Sequence, residues 1–259
     1  MAETGQLKQA RYKSPFDAVL LTRIVIIAAV LLIWEAVAAS GLLFRDVVPS
    51  LRAIVAALWM LLQDGGFYGH LGATAIEVGT ALAIGGICGL FVGLVLGGSK
   101  LLSNAFEPYL HYLGPTPKII FFPIMIMWFG VGSGSKIAMG AISAFFPIAL
   151  SVAAGMRHID RVLIKVGRSF RVKRWQMVTK IYLPAMRQPI LNGVRLGLGV
   201  GLIGTLLAET KLSNQGIGFL IINSYSTFNM PRMYALLIVI FAVAIGANAL
   251  AGRWGRRDT

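Results

Sequence analysis

Residues 73–98 run for twenty-six positions with one charged side chain, Glu77, and no proline. The apolar core of a bilayer is about 30 Å thick and takes roughly 20 apolar residues of helix to cross. A run this long and oily belongs in lipid, and it is not alone. Further apolar runs at 23–41, 118–131, 137–156, 189–209 and 233–251 raise the expected number of spans to six, the third counted with some preceding turns. Only 13% of the 259 residues are charged and 57% are apolar, whereas a soluble domain carries about 25% charge. Because lipid offers backbone groups no partners, spans must be helices or closed barrels. The chain reads as an all-α, polytopic membrane helix bundle with six transmembrane helices. A cytoplasmic segment at 1–22 precedes one membrane domain at 23–259. The first apolar run is too long, and its polar leader too extended, for a cleaved signal peptide, so it reads as a retained span.

Charge gives the orientation. With the N-terminus inside, nineteen of the 24 Lys and Arg residues fall in inner segments, and five, at Arg45, Arg52, Lys136, Lys211 and Arg232, fall outside. Cytoplasmic loops of membrane proteins carry that excess. Both termini are expected inside, and Lys118 is counted with the inner set. The net charge of +14 is thereby absorbed by topology and calls for no nucleic-acid partner. Cys88 lies within an apolar run and reads as an inert packing residue. His70, His111 and His158 are scattered without the carboxylates of a metal or acid–base site, which argues against an enzyme and assigns no metal or catalytic residue.

Between the first two spans, Ser50 caps a helix whose Leu51, Ile54, Leu58 and Leu61 recur at helical spacing before Gly65 and Gly66. At about thirteen residues it is too short to cross, so it lies along the interface or packs as a buried helix. In the second span Gly85, Gly89, Gly93 and Gly97 repeat every four residues, and Gly193, Gly197 and Gly201 do the same in the fifth. Such stripes let helix backbones approach closely in lipid. Pro115, Pro117 and Pro123 bend the third span, and Pro147 interrupts the fourth. Glu35, Glu77 and Glu209 fall near the outer ends of spans, where solvation is cheap; an ionisable group there is still a functional candidate.

The segment 168–184, RSFRVKRWQMVTKIYLP, concentrates five basic residues in a loop at about 157–186. Val172, Trp175, Val178 or Thr179 and Tyr182 fall on one helical face. Leu183 and Pro184 are expected to end the helix. A basic amphipathic helix of this kind lies on anionic lipid or docks in a groove on a cytoplasmic partner. The run VGRSFRVKRWQMVTKIYLPAMRQPILNGVRLGLG resembles the cytoplasmic loop of inner-membrane permeases of binding-protein-dependent ABC importers. That family's pattern is Glu-Ala-Ala, three residues, Gly, nine residues, then Ile-x-Leu-Pro. Ile181, Leu183 and Pro184 match its end. VPSLRAIVAALWMLLQDGGFYGHLGATAIEVG, GPTPKIIFFPIMIMWFGVGSGSKI and LLAETKLSNQGIGFLI resemble the nitrate, sulfonate and taurine branch.

The resemblance implies a type I ABC importer permease fold. It implies a homodimer of permease copies, a cytoplasmic ABC ATPase dimer that carries ATP and Mg, and a periplasmic or extracellular solute-binding protein. This chain lacks a phosphate-cradling Gly-x-x-x-x-Gly-Lys-Ser/Thr motif and would bind no cofactor of its own. Contact with the ATPase would fall to Gly167, Arg171, Lys173, Arg174, Trp175, Ile181, Leu183 and Pro184. Ser143, Glu209 and Glu77 are the candidates for the solute path. The departures are that Lys165, Val166 and Gly167 stand at the Glu-Ala-Ala positions and Arg171 at the glycine. A left-handed non-glycine residue costs about 1–2 kcal/mol, so at Arg171 either the turn differs or the strain is tolerated. A secondary transporter or channel without an ATPase is the alternative. It would show inverted repeats and charged residues near mid-bilayer, neither of which is clear in the sequence.

Overall fold

The computed structural model describes residues 15–41, 47–211 and 213–256. The sequence-expected segment 1–22 therefore lies outside the described residues as far as position 14; its remainder is already helix. Twelve α-helices follow, and no strand occurs among the described residues. Five of them, α1 (Pro15–Ser40), α3 (Gly65–Gly98), α6 (Ser133–Arg157), α10 (Arg187–Glu209) and α12 (Met230–Arg256), are long and apolar enough to cross a bilayer. The expected third span is not one helix. It is α4 (Lys100–Leu113) followed, after Gly114–Pro115–Thr116–Pro117, by a 3₁₀ turn (Lys118–Phe121) and α5 (Phe122–Phe129), bent by 91°. Pro115 and Pro117 each remove a backbone donor; Gly114 is still helical at φ −55° and ψ −51°, and the chain has left helical angles by Pro117, at ψ 96°, so the helix does not continue through this stretch. At eight residues α5 rises only about 12 Å and cannot cross alone.

Pro147 does not interrupt α6, which is continuous from Ser133 to Arg157. The ring costs the Ser143 carbonyl its donor, but α6 is held on both sides. The glycine stripe of α3 lies on one flank: a Cβ at Gly85 would collide with the Ala141 carbonyl oxygen, and one at Gly97 would collide with Met156 Cβ. The α10 stripe lies on the other flank, where a Cβ at Gly193 would meet Ser151 Cβ at 2.9 Å and one at Gly197 would meet Ile148 Cδ1 at 2.7 Å. Helix α6 is thus clasped between two smooth faces, the close backbone approach that lipid-embedded helices use for cohesion. Ala144, Ile148 and Val152 of α6 are fully or nearly fully buried at the centre.

The second span starts eight residues earlier than expected. Asp64 closes α2 (Leu51–Gln63) and caps α3, its carboxylate accepting from Gly66 N at 2.9 Å. Ser50 caps α2 as expected, accepting from Ala53 N at 3.3 Å. Ile54 and Leu61 are buried; Leu61 joins a cluster with Ile217, Leu220, Leu236 and Ile240 from α11 (Ile217–Ser226) and α12. Val55, Trp59 and Met60 remain exposed, so α2 packs on one face and leaves an apolar face uncovered. Helix α1 has little buried surface and is tied at its end, where Trp34 stacks edge-on with Tyr234 and Glu35 accepts from Leu51 N at 2.9 Å. Cys88 is exposed on α3 rather than packed inside.

Candidate coupling segment and solute path

At one pole of the bundle, where α3 and α6 end and α10 begins, the basic loop is ordered as a hairpin of short helices. Asp160 caps α7 (Arg161–Ser169), accepting from Val162 N at 2.8 Å. The helix closes with Arg171 N donating to the Arg168 carbonyl at 2.9 Å and Val172 N to the Gly167 carbonyl at 3.1 Å. Those two bonds are the Schellman arrangement, which puts a left-handed residue just past the helix. That residue is Arg171, with φ of 50°. The turn is therefore the one a glycine would make, and the strain is tolerated. Gly167 is buried beneath it; a Cβ there would sit 2.5 Å from Ile181 Cδ1 and 3.0 Å from Met177 Sδ. A small residue is what lets α7 lie against the second arm.

The second arm starts with α8 (Arg174–Met177), where the Gln176 side chain accepts from Lys173 N at 3.2 Å. It widens into a π turn (Val178–Tyr182) and continues through α9 (Leu183–Ala185). Leu183 and Pro184 thus do not end the helix, because Pro184 sits in the first turn of α9, where its missing donor is harmless. Met186, fully buried against α6, then turns the chain into α10. With Met177 buried and Ile181, Tyr182 and Leu183 half-buried, Phe170, Arg171, Lys173, Arg174 and Trp175 are exposed, as are Arg161, Lys165, Arg168 and Lys180. Phe170 is 79% exposed and Trp175 74%. The sequence singled out Trp175 and not the equally exposed Phe170, whose position beside the family's glycine was the available signal.

At the far pole α3, α6 and α10 meet around a buried polar cluster. Glu77 and Lys136 form an ion pair at 2.6 Å with both side chains about 2% exposed, and Lys136 also donates to Ser213 Oγ at 3.0 Å. Glu209 accepts from Thr74 Oγ1 at 2.7 Å and from Gly218 N at 2.6 Å, while Thr74 accepts from Ile217 N at 2.8 Å. Gly216, at φ 106°, is pressed so close that a Cβ would collide with the Glu209 carboxyl carbon. His70 accepts from Gly216 N at 3.1 Å. The expectation of cheap solvation for Glu77 and Glu209 is overturned, since they are 1% and 0% exposed. Their cost is offset by a cation and by directed donors. Ser143 is buried as well, packed where a Cβ on Gly204 would come within 2.5 Å of its Oγ. All three path candidates lie between helices of one chain.

The bend of the broken span sits between the poles. Lys118 Nζ lies 5.0 Å above the Phe146 ring, and Gly114 faces Phe146 Cβ. Phe146 is the fourteenth of the twenty-five residues of α6, so Lys118 is held near the helix midpoint. It does not belong to the inner loop with which it was counted. The remaining asymmetry of basic residues is still heavily one-sided.

Residues 85–257 match the family of binding-protein-dependent transport system inner membrane components. The chain belongs to that family. This permease is 32% identical over 242 residues to a putative aliphatic sulfonates transport permease of Bacillus subtilis, covering 93% of this chain and 86% of that one. It is 27% identical to the taurine transport system permease of Escherichia coli, over 95% and 93% of the two chains. It is also 27% identical to the nitrate import permease of Synechococcus elongatus, over 92% and 88%. Among solved structures, the inward-facing MetNI methionine ABC transporter superposes with a TM-score of 0.65 at 19% identity, covering 81% of the permease and 97% of the matched chain. That likeness concerns the fold, and the fold agrees with the type I permease architecture expected from the sequence.

Proposed function

We propose that this permease is the membrane-spanning subunit of an ATP-driven importer for a small solute bearing an oxyanion group, of the sulfonate, taurine or nitrate type, placed in the inner membrane with both termini cytoplasmic. Two copies form the path, a solute-binding protein delivers the solute from outside, and a cytoplasmic ATPase dimer holding ATP and Mg drives the cycle. The reading is carried by one observation: the 161–185 hairpin is well built internally yet leaves two aromatic rings, Phe170 and Trp175, and seven basic side chains exposed. Aromatic and Arg side chains dominate protein–protein contacts, and an acidic or polar groove on the ATPase is the matching surface. The relatives named for sulfonates, taurine and nitrate support a solute that carries an oxyanion group.

In this mechanism ATP draws the two ATPase subunits together and carries the hairpins with them. Met186 anchors the hairpin at the junction of α6 and α10, so displacement of the hairpin tilts both spans and alternates access. The hairpin acts only if the ATPase grips it differently in its two states. Gly167, Ile181, Leu183 and Pro184 keep it stiff, while Phe170, Arg171, Lys173, Arg174 and Trp175 make the contact. Membrane lipid surrounds the bundle. The test is the Lys173→Glu/Arg174→Glu double variant, reconstituted with the ATPase and binding protein. Membrane insertion is expected to persist while solute-stimulated ATP hydrolysis and uptake fall together by at least about tenfold, the effect of losing contacts worth about 1.4 kcal/mol. Undiminished coupled uptake would contradict the assignment.

A further inference from the structure

The bend of the broken span carries an ammonium group that none of the contacts above neutralises. Lys118 Nζ donates to the Gly114 carbonyl and, at 3.4 Å, to the Thr116 carbonyl, and it rests against the face of Phe146. These partners are neutral. Among the described residues no carboxylate pairs with it, in contrast to Lys136, which is matched by Glu77. A full positive charge is therefore pinned near the midpoint of α6. An unpaired charge at that depth is costly against lipid and is found facing a bundle interior or a water-filled cavity. Snorkelling does not relieve it, because the side chain is folded back onto carbonyls four and two residues earlier.

The group is half-exposed and lies beside the exposed Thr116 and Ile120, so its free side looks away from its own subunit. An ammonium has three donors; two are used on carbonyls, which leaves donor capacity directed outward. The backbone break itself is tolerated in a membrane only where protein or a water-filled cavity covers it. Both features require the same thing of this face: it borders protein or a solvated space rather than lipid.

We propose that Lys118 is a charge-selecting contact on the solute path, attracting a small oxyanion such as a sulfonate or nitrate at the bend and disfavouring cations. The proposal rests on the anion-importer reading for the identity of the solute, whereas the positive, lipid-excluding character of the bend stands on the geometry alone. Lys118 does not need to hold the anion tightly; conduction past such a point requires attraction weak enough for release.

The test replaces the exposed Cys88 by Ser and introduces Thr116→Cys in the complete importer in proteoliposomes. The rates of modification by water-borne anionic and cationic methanethiosulfonate reagents are then compared. With Lys118 present the anionic reagent is favoured. In Lys118→Met the ratio falls roughly tenfold, the scale of one unit charge a few ångströms away in a partly solvated site, and Lys118→Arg retains it. In the Cys88→Ser background alone, uptake of labelled ethanesulfonate falls by a similar factor in Lys118→Met and Lys118→Gln and survives in Lys118→Arg, with nucleotide-stimulated ATP hydrolysis preserved. An introduced thiol at position 116 that reacts with neither reagent in any nucleotide state, or a ratio that is equal with Lys, Arg and Met at position 118, overturns the proposal. So does equal loss of uptake in the Arg and Met variants, which would mark Lys118 as a mere brace of the bend. Failure of the importer reading shows separately, as wild-type protein that takes up no anion with ATP while the labelling ratio still responds to position 118.

Discussion

Arg171 occupies a backbone conformation that suits glycine, and it does so in a turn whose two closing hydrogen bonds are well formed. Arg171→Gly should therefore stabilise the isolated permease by about 0.5–1 kcal/mol, the strain relieved less the extra freedom glycine has when unfolded. A thermal denaturation midpoint in detergent checks this. The same variant should weaken ATPase docking if the guanidinium reaches the partner, so stability and coupling move in opposite directions. At the other pole, Glu77→Gln leaves the Lys136 ammonium buried without its counter-ion, which costs about 3–5 kcal/mol. Replacing both by apolar residues, Glu77→Leu with Lys136→Met, should recover most of that loss in the same assay. Neither the pair nor the Thr74–Glu209 bond was legible in the sequence. Their members are far apart in the chain, and the solvated reading of Glu77 and Glu209 assumed open helix ends where α3, α6, α10 and residues 213–218 in fact close over them.

At the scale of elements, what could be read in advance was what repeats. Glycines four apart on two runs announced close packing, and both stripes fall on α6. The consequence is testable within one helix. Gly93→Leu places a branched side chain where a Cβ already meets Val152 Cβ at 2.6 Å, whereas Gly79 has nothing within 4 Å of its Cβ position. Gly93→Leu should cost at least the roughly 1–3 kcal/mol typical of overpacking and deplete the folded protein seen by size-exclusion chromatography. Gly79→Leu should leave the profile unchanged. Prolines proved a poorer guide, since Pro115 and Pro117 break a span, Pro147 leaves α6 continuous, and Pro184 rides inside a helix start. The difference is packing: α6 is clasped on two sides, and the 114–117 stretch is not. Gly167 was named only through a family pattern, and its reason, contact with Ile181 and Met177, emerges from the folded hairpin.

On the scale of the whole molecule, a core of three clasped helices joins a buried polar cluster at one pole to a basic hairpin at the other. Helices α6 and α10 run between the two, each with one end in the cluster and the other beside the Met186 anchor. Motion applied to the hairpin is thereby delivered to the two helices that also form the far closure, while the bend at Lys118 lies between them. The central claim is that the hairpin is gripped by the ATPase. The most direct measurement places a photo-cross-linking amino acid at position 175 in the assembled importer and identifies what it captures with and without ATP. The account predicts covalent capture of the ATPase subunit, with the yield or attachment point changing between the two nucleotide states. Capture of lipid alone, in both states, would contradict it.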